Sequence, residues 1–155
     1  MNLGILFVAS DSRVIYHNPA FSRMWMIEEG TGLVGLPVNE VLAKSSSMLA
    51  RPDHFSRHLL SVLETRELSD SYEIQMTDGR VITELDYPVR DREGHFIGHL
   101  WIYEDVTRER QTAEQLVYLA ERDALTGLYN RHRFQQELTR TMLETDRHQI
   151  QCAVM

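Results

Sequence analysis

Cys152 is the one cysteine in the chain, so no internal disulfide can form. That is consistent with a reducing compartment, and a cytoplasmic protein is expected. Basic charge is also scarce. Lys and Arg number 16 against 23 Asp and Glu, a net charge of −7, which argues against nucleic acid as a general partner. No apolar run approaches the ~20 residues of a membrane-spanning helix, so no membrane segment is expected in this chain. The N-terminal stretch carries Asp11 and Arg13 and lacks the basic, apolar, small-residue order of a secretion signal. No internal repeat or low-complexity tract is visible.

What remains is ordinary globular composition. The 155 residues are 43% hydrophobic and 25% charged, enough for one domain with an appendage. Three stretches differ in pattern. The first runs from about Leu3 to Tyr103 and mixes strand and helix. Gly4–Val8 and Val14–Tyr16 are two β-rich runs around a polar turn, as in a hairpin. Asn18-Pro19 opens a short helix with Phe21, Met24 and Trp25 on one face. A longer helix begins near Pro52, with Asp53 as its expected cap and Phe55, Leu59, Val62 and Leu63 as its stripe. Tyr72, Ile74 and Met76 alternate with polar residues and lead into the hairpin pair Asp78-Gly79. The next run alternates Val81, Thr83, Leu85, Tyr87 and Val89 with Ile82, Glu84, Asp86 and Pro88. Phe96–Tyr103 is apolar on both faces, so it is expected to be central or covered on both sides. The whole is an α+β layout, helices on one face of an antiparallel sheet.

The second stretch, to Arg122, has no glycine or proline and is rich in Glu, Arg and Gln. Val106, Ala113, Leu116 and Ala120 form a partial heptad seam, interrupted by Glu109 and Asp123. Such a short exposed helix is marginal alone and is expected to pair with a second copy. The third stretch has Gly127, a cap at Asn130, a helix to about Glu144 carrying Phe134, Leu138 and Met142, and a strand at 150–155.

Two resemblances follow from these residues. The order Gly4–Val8, Asp11, Val14-Ile15, Asn18-Pro-Ala-Phe21, then Thr77-Asp-Gly-Arg80, Gly94, Gly98 and Asp105-Val-Thr107 resembles a PAS sensor domain. It implies the PAS fold over residues 1–107: a five-stranded antiparallel sheet with helices on one face. Asp105 and Thr107 would then form the junction to a coiled-coil signalling helix, residues 108–122. Asp123-Ala-Leu125-Thr126-Gly-Leu-Tyr-Asn130-Arg131 resembles the start of a GGDEF (diguanylate cyclase) domain, residues 123–155. In that family these positions are structural. The chain stops at Met155 without a Gly-Gly signature, ahead of the metal ligands the resemblance would place. Catalytic residues, and the Mg and GTP they handle, are therefore expected outside it.

The resemblance implies a cytoplasmic module, dimeric through its output helix, that regulates cyclic di-GMP synthesis. The same start motif also fits a GGDEF-EAL phosphodiesterase. Candidates for a small-molecule pocket are Trp25, His54, His58, Tyr72, Tyr87 and Trp101. His54 and His58 stand four apart on one helix, a spacing open to haem but without a third metal ligand. A flavin–cysteinyl adduct is rejected because Cys152 lies outside the PAS stretch; noncovalent flavin stays open. The cofactor is unknown, and no resident metal site is expected. Glu73, Glu84 and Asp86 are expected to alternate outward, with no acid–base couple among them.

Overall fold

The computed structural model describes residues 3–28 and 30–148. Two compact units follow each other, one ending at Arg108 and one beginning at Glu109.

The first unit is the α+β layout read from the pattern. Its strands are β1 (Gly4–Ala9), β2 (Val14–His17), β3 (Tyr72–Gln75), β4 (Val81–Arg90) and β5 (Phe96–Asp105). Every pairing is antiparallel, and the order across the sheet is β2-β1-β5-β4-β3. β5 is central, one of the two expected reasons for its apolar character. Between β2 and β3 come α1 (Pro19–Met24), α2 (Val38–Ala43) and α3 (Pro52–Thr65).

Asn18 caps α1 and also fastens it to the sheet. Its side-chain oxygen accepts from the Phe21 and Ile5 amides, each at 2.9 Å, and its Nδ2 donates to the Leu3 carbonyl at 2.8 Å. Pro19 follows at the first helical position. At α3 the expected cap is corrected. Arg51 occupies that position without a side-chain bond, and Asp53 lies in the first turn, where its charge complements the helix dipole. Pro52 explains the shift, since proline occupies the first turn and leaves Arg51 as cap.

α1, α2 and α3 bury Phe21, Trp25, Val41, Phe55, Leu59 and Val62 with Leu6, Val8, Ile82, Trp101 and Tyr103 of the sheet. Strand β1 passes very close to β5. A β-carbon added to Gly98 would lie 2.1 Å from the Val8 carbonyl oxygen.

The second unit holds most of α4 (Thr107–Glu121) and all of α5 (Arg131–His148). Asn130 caps α5 as expected, accepting from the Arg133 amide at 3.0 Å. The strand expected at 150–155 lies outside the described residues. No helix among the described residues is long and apolar enough to cross a membrane.

Replacing Gly98 by Ala is expected to push β1 from β5 and destabilise the first unit by about 2 kcal/mol, as overpacking does. A urea melt of the variant against the parent chain measures it.

Candidate functional site

The expected pocket residues divide between the two faces of the sheet. Trp25 and Trp101 are buried in the core. Trp25 contacts Phe55 at 5.7 Å and Tyr103 at 5.5 Å between ring centroids. Tyr72 is half-buried and stacks on His58 at 3.8 Å with rings nearly parallel. His54 is exposed and lines a groove of about 210 Å³ with Arg51, Phe55 and Tyr72. Tyr87 is a correction. The pleat puts it on the opposite face of the sheet, exposed, away from the other candidates.

The reading of Glu84 and Asp86 is also corrected. They point into the core, 2% and 1% exposed, while Glu73 is exposed as expected. Ile82, Glu84 and Asp86 are the buried set of β4, and Val81, Thr83 and Leu85 are the half-exposed one. Apolarity alone had favoured the reverse phase.

Buried carboxylates require partners. Glu84 Oε1 lies 2.7 Å from His58 Nε2, which comes from α3. Asp86 lies 2.9 Å from His99 Nδ1, and His99 stacks near Trp101. Tyr103 pairs with Glu84 across the β4–β5 ladder. Burial, and then the charge of Glu84, push the Tyr103 hydroxyl well above its usual value. Burial and Glu84 also raise Tyr72, against the lowering effect of Arg51 and Arg57. Five buried polar atoms here have no bonding partner: Trp25 Nε1, Trp101 Nε1, Tyr103 Oη, Glu84 Oε2 and His99 Nε2. An interior with more donors and acceptors than internal pairs is suited to a small polar guest or buried water.

The arrangement does not suit haem. His58 Nε2 is engaged by Glu84, and His54 faces a groove smaller than the ~300–1,000 Å³ of typical ligand pockets.

His99 and Tyr103 were not singled out by sequence reasoning, and Glu84 and Asp86 were set aside as outward-facing. The signal that identifies them is in the partner strand. His99, Trp101 and Tyr103 share one alternate set of β5, and a histidine in that set calls for an acid opposite.

The expected junction residues are in contact. Asp105 Oδ1 accepts from the Thr107 amide and hydroxyl. Thr107 Oγ1 accepts from the Val81 amide at 3.0 Å, and the Val106 amide donates to the Val81 carbonyl at 2.9 Å. The start of α4 is thus bonded to the start of β4.

A PAS fold profile matches residues 1–111. The chain belongs to the PAS fold family. Its fold is shared with the sensor region of a sensor histidine kinase, with TM-score 0.54 and 15% identity over 69% of this chain and 40% of that one. It is shared also with an RNA-binding light-oxygen-voltage receptor, with TM-score 0.54 and 21% identity over 77% of this chain and 33% of that one. The PAS domain of histidine kinase ThkA gives 0.51 and 15%, over 68% of this chain and all of that one. Among curated proteins, the probable diguanylate cyclase DgcE of Escherichia coli (strain K12) is 29% identical over 140 residues. That likeness covers 86% of this PAS chain, which spans 12% of the relative.

In the second unit, the residues of the start motif form one turn. Asp123 Oδ1 accepts from the amides of Leu125 and Thr126 and from the Thr126 hydroxyl, at 2.9 to 3.1 Å. Asn130 Nδ2 donates back to the Ala120 carbonyl. Arg131 is the first residue of α5.

Replacing Glu84 by Ala is expected to cost about 3 kcal/mol in a urea melt, because His58 loses its buried partner; Gln should cost less than half of that. A second expectation concerns the turn. The bonds from Thr126, then Leu125, hold the Asp123 carboxyl below its usual value. The stabilisation is present above the usual carboxylate range and is lost as pH falls through the lowered value. Amide NMR shifts of Leu125 and Thr126 should follow that loss on acidification and be absent from Asp123→Asn.

Proposed function

We propose that this chain is the sensory and regulatory module of a bacterial signalling protein, controlling cyclic di-GMP synthesis by a GGDEF domain that follows it. The carrying observation is the Asp123–Arg131 turn. A family start motif has each of its polar anchors, Asp123, Thr126 and Asn130, bonded in one compact turn between two helices. The likeness to the probable diguanylate cyclase supports the reading. Its 86% of the chain exceeds residues 1–111, so the alignment continues past the PAS match.

The proposed organisation is a sensor at 1–107, a coiled-coil helix at 108–122 and the opening of the output domain from 123. α4 has no buried residue, and Leu116, Val117 and Leu119 are exposed. A 15-residue helix is about 22 Å long and marginal by itself. Pairing with the α4 of a second copy covers it, and Glu109 on the seam keeps two registers close in energy; Asp123, expected on the same seam, lies beyond the helix end with its carboxylate held in the turn.

The signal is a population shift. A small molecule in the polar core around Glu84 favours one arrangement of α3 and β4. That choice reaches α4 through the Val81–Thr107 bond. The free-energy difference comes from bonding the guest to atoms such as Trp101 Nε1 and Glu84 Oε2 in one arrangement only.

The test is a chimera with residues 1–131 placed ahead of a diguanylate cyclase catalytic domain. Thr107→Val, which keeps the size but removes the hydroxyl, is expected to change the rate of cyclic di-GMP formation at least threefold. An unchanged rate, with the fold intact by circular dichroism, rejects control through this junction. The sequence beyond Met155 gives a second check: without a Gly-Gly-(Asp/Glu)-Glu-Phe signature the cyclase reading is rejected. A Glu-Ala-Leu signature further on assigns the module to a phosphodiesterase.

A further inference from the structure

Beside the polar core lies the groove of about 210 Å³ between the start of α3 and the edge strand β3. Its floor is Phe55 and Ile74, both part of the buried core cluster. Its walls carry Arg51, His54, Tyr72 and Glu73. An arginine and a histidine thus line one concavity in a chain whose net charge is −7.

Neither side chain is used to hold the fold. Arg51 stands at the cap position of α3, where a short side chain with an accepting oxygen is preferred, and it makes no side-chain bond there. Arg51 and His54 are exposed and enter no ion pair among the described residues.

The Tyr72 hydroxyl is a third polar group in the groove. Burial and Glu84 raise it above its usual value, against Arg51 and Arg57, so at neutral pH it keeps its proton and can donate. Both guanidinium groups act on that hydroxyl, which puts positive charge on the α3 side of the groove. Glu73 lines the β3 side. Its charge disfavours a long polyanion, which would have to pass it, and not a small ion held from α3.

Size and chemistry select the occupant. At ~30 Å³ for each water, the groove holds the equivalent of about seven. A phosphate or a short-chain carboxylate is of that scale. Guanidinium, imidazole and phenol can all donate, and charge-assisted bonds from such groups to an oxyanion are the stronger kind.

We propose that this groove is a binding site for a small oxyanion, a phosphate or a short-chain carboxylate, held by Arg51 and His54 with the Tyr72 hydroxyl donating to it. The site is separate from the guest position in the polar core and does not depend on which output domain follows. Tyr72 links the two. Its ring lies on the His58 imidazole at 3.8 Å, and His58 bonds Glu84. An occupant of the groove therefore touches a side chain one contact away from the buried cluster.

An NMR titration of the full chain tests the site. The Arg51 Nε and His54 ring signals are followed as inorganic phosphate, butyrate, or sodium chloride at equal ionic strength is added. Phosphate or butyrate is expected to give saturating shifts at both residues and at the Tyr72 ring, and chloride only a small linear drift. Saturation by phosphate alone assigns a phosphate site, by butyrate alone a carboxylate site, and by both a site for the shared oxyanion. Arg51→Gln is expected to raise the dissociation constant, followed at His54, at least fivefold through loss of a charge-assisted bond. Arg92→Gln, on the exposed turn between β4 and β5, should leave it unchanged. Both arginines are exposed, so the fold should persist in either variant. Shifts that match those in chloride overturn the proposal. So does a dissociation constant indifferent to Arg51→Gln, or one raised equally by Arg92→Gln.

Discussion

Two carboxylates on the inner pleat of β4 constrain the rest of the sensor unit. Glu84 and Asp86 enter an aromatic core where an isolated charge is costly. Each is met by an imidazole. His99 comes from the neighbouring strand, so that pair stays within the sheet. His58 comes from α3, so its bond to Glu84 sets where the longest helix of the unit lies on the sheet. Tyr72 of β3 stacks on the same imidazole, and α3 is thereby held to two strands through one side chain.

The strand that carries this cluster also carries the exit. Val81, three residues before Glu84, bonds Thr107 with its amide and Val106 with its carbonyl. Arg80, one residue earlier, donates from Nη1 to the Met24 carbonyl at the end of α1. The polar core, the packing of α1 and the start of α4 therefore converge on the first four residues of β4 and the arginine before them. One strand thus connects the polar core to the start of α4.

Much of the fold was legible in local pattern. Asn18-Pro19, Pro52, Asp78-Gly79 and the alternation of β3 each depend on backbone rules that act within a few residues, and each element formed. The capping role of Asp53 was misread because Pro52 moves the helix start by one position. The site was less legible. Trp25, Trp101, His58 and Tyr72 belong to the core or its border, but Tyr87 does not, and Glu84 and Asp86 were assigned to the wrong face. β4 carries apolar residues on one alternate set and a mixture on the other, and apolarity chose the set that faces outward. Only the strand beside it, with His99, Trp101 and Tyr103 aligned, makes the inward acids affordable.

The sequence by itself determined the hairpins of the first unit and the places where α1 and α5 begin, because these follow from turn chemistry, capping and period. Tertiary structure decided the phase of β4. A strand has two faces related by a one-residue step, and its own pattern cannot say which face will find partners. Packing α3 against β4 supplied His58, β5 supplied His99, and together they turned two acids inward and an apolar face outward.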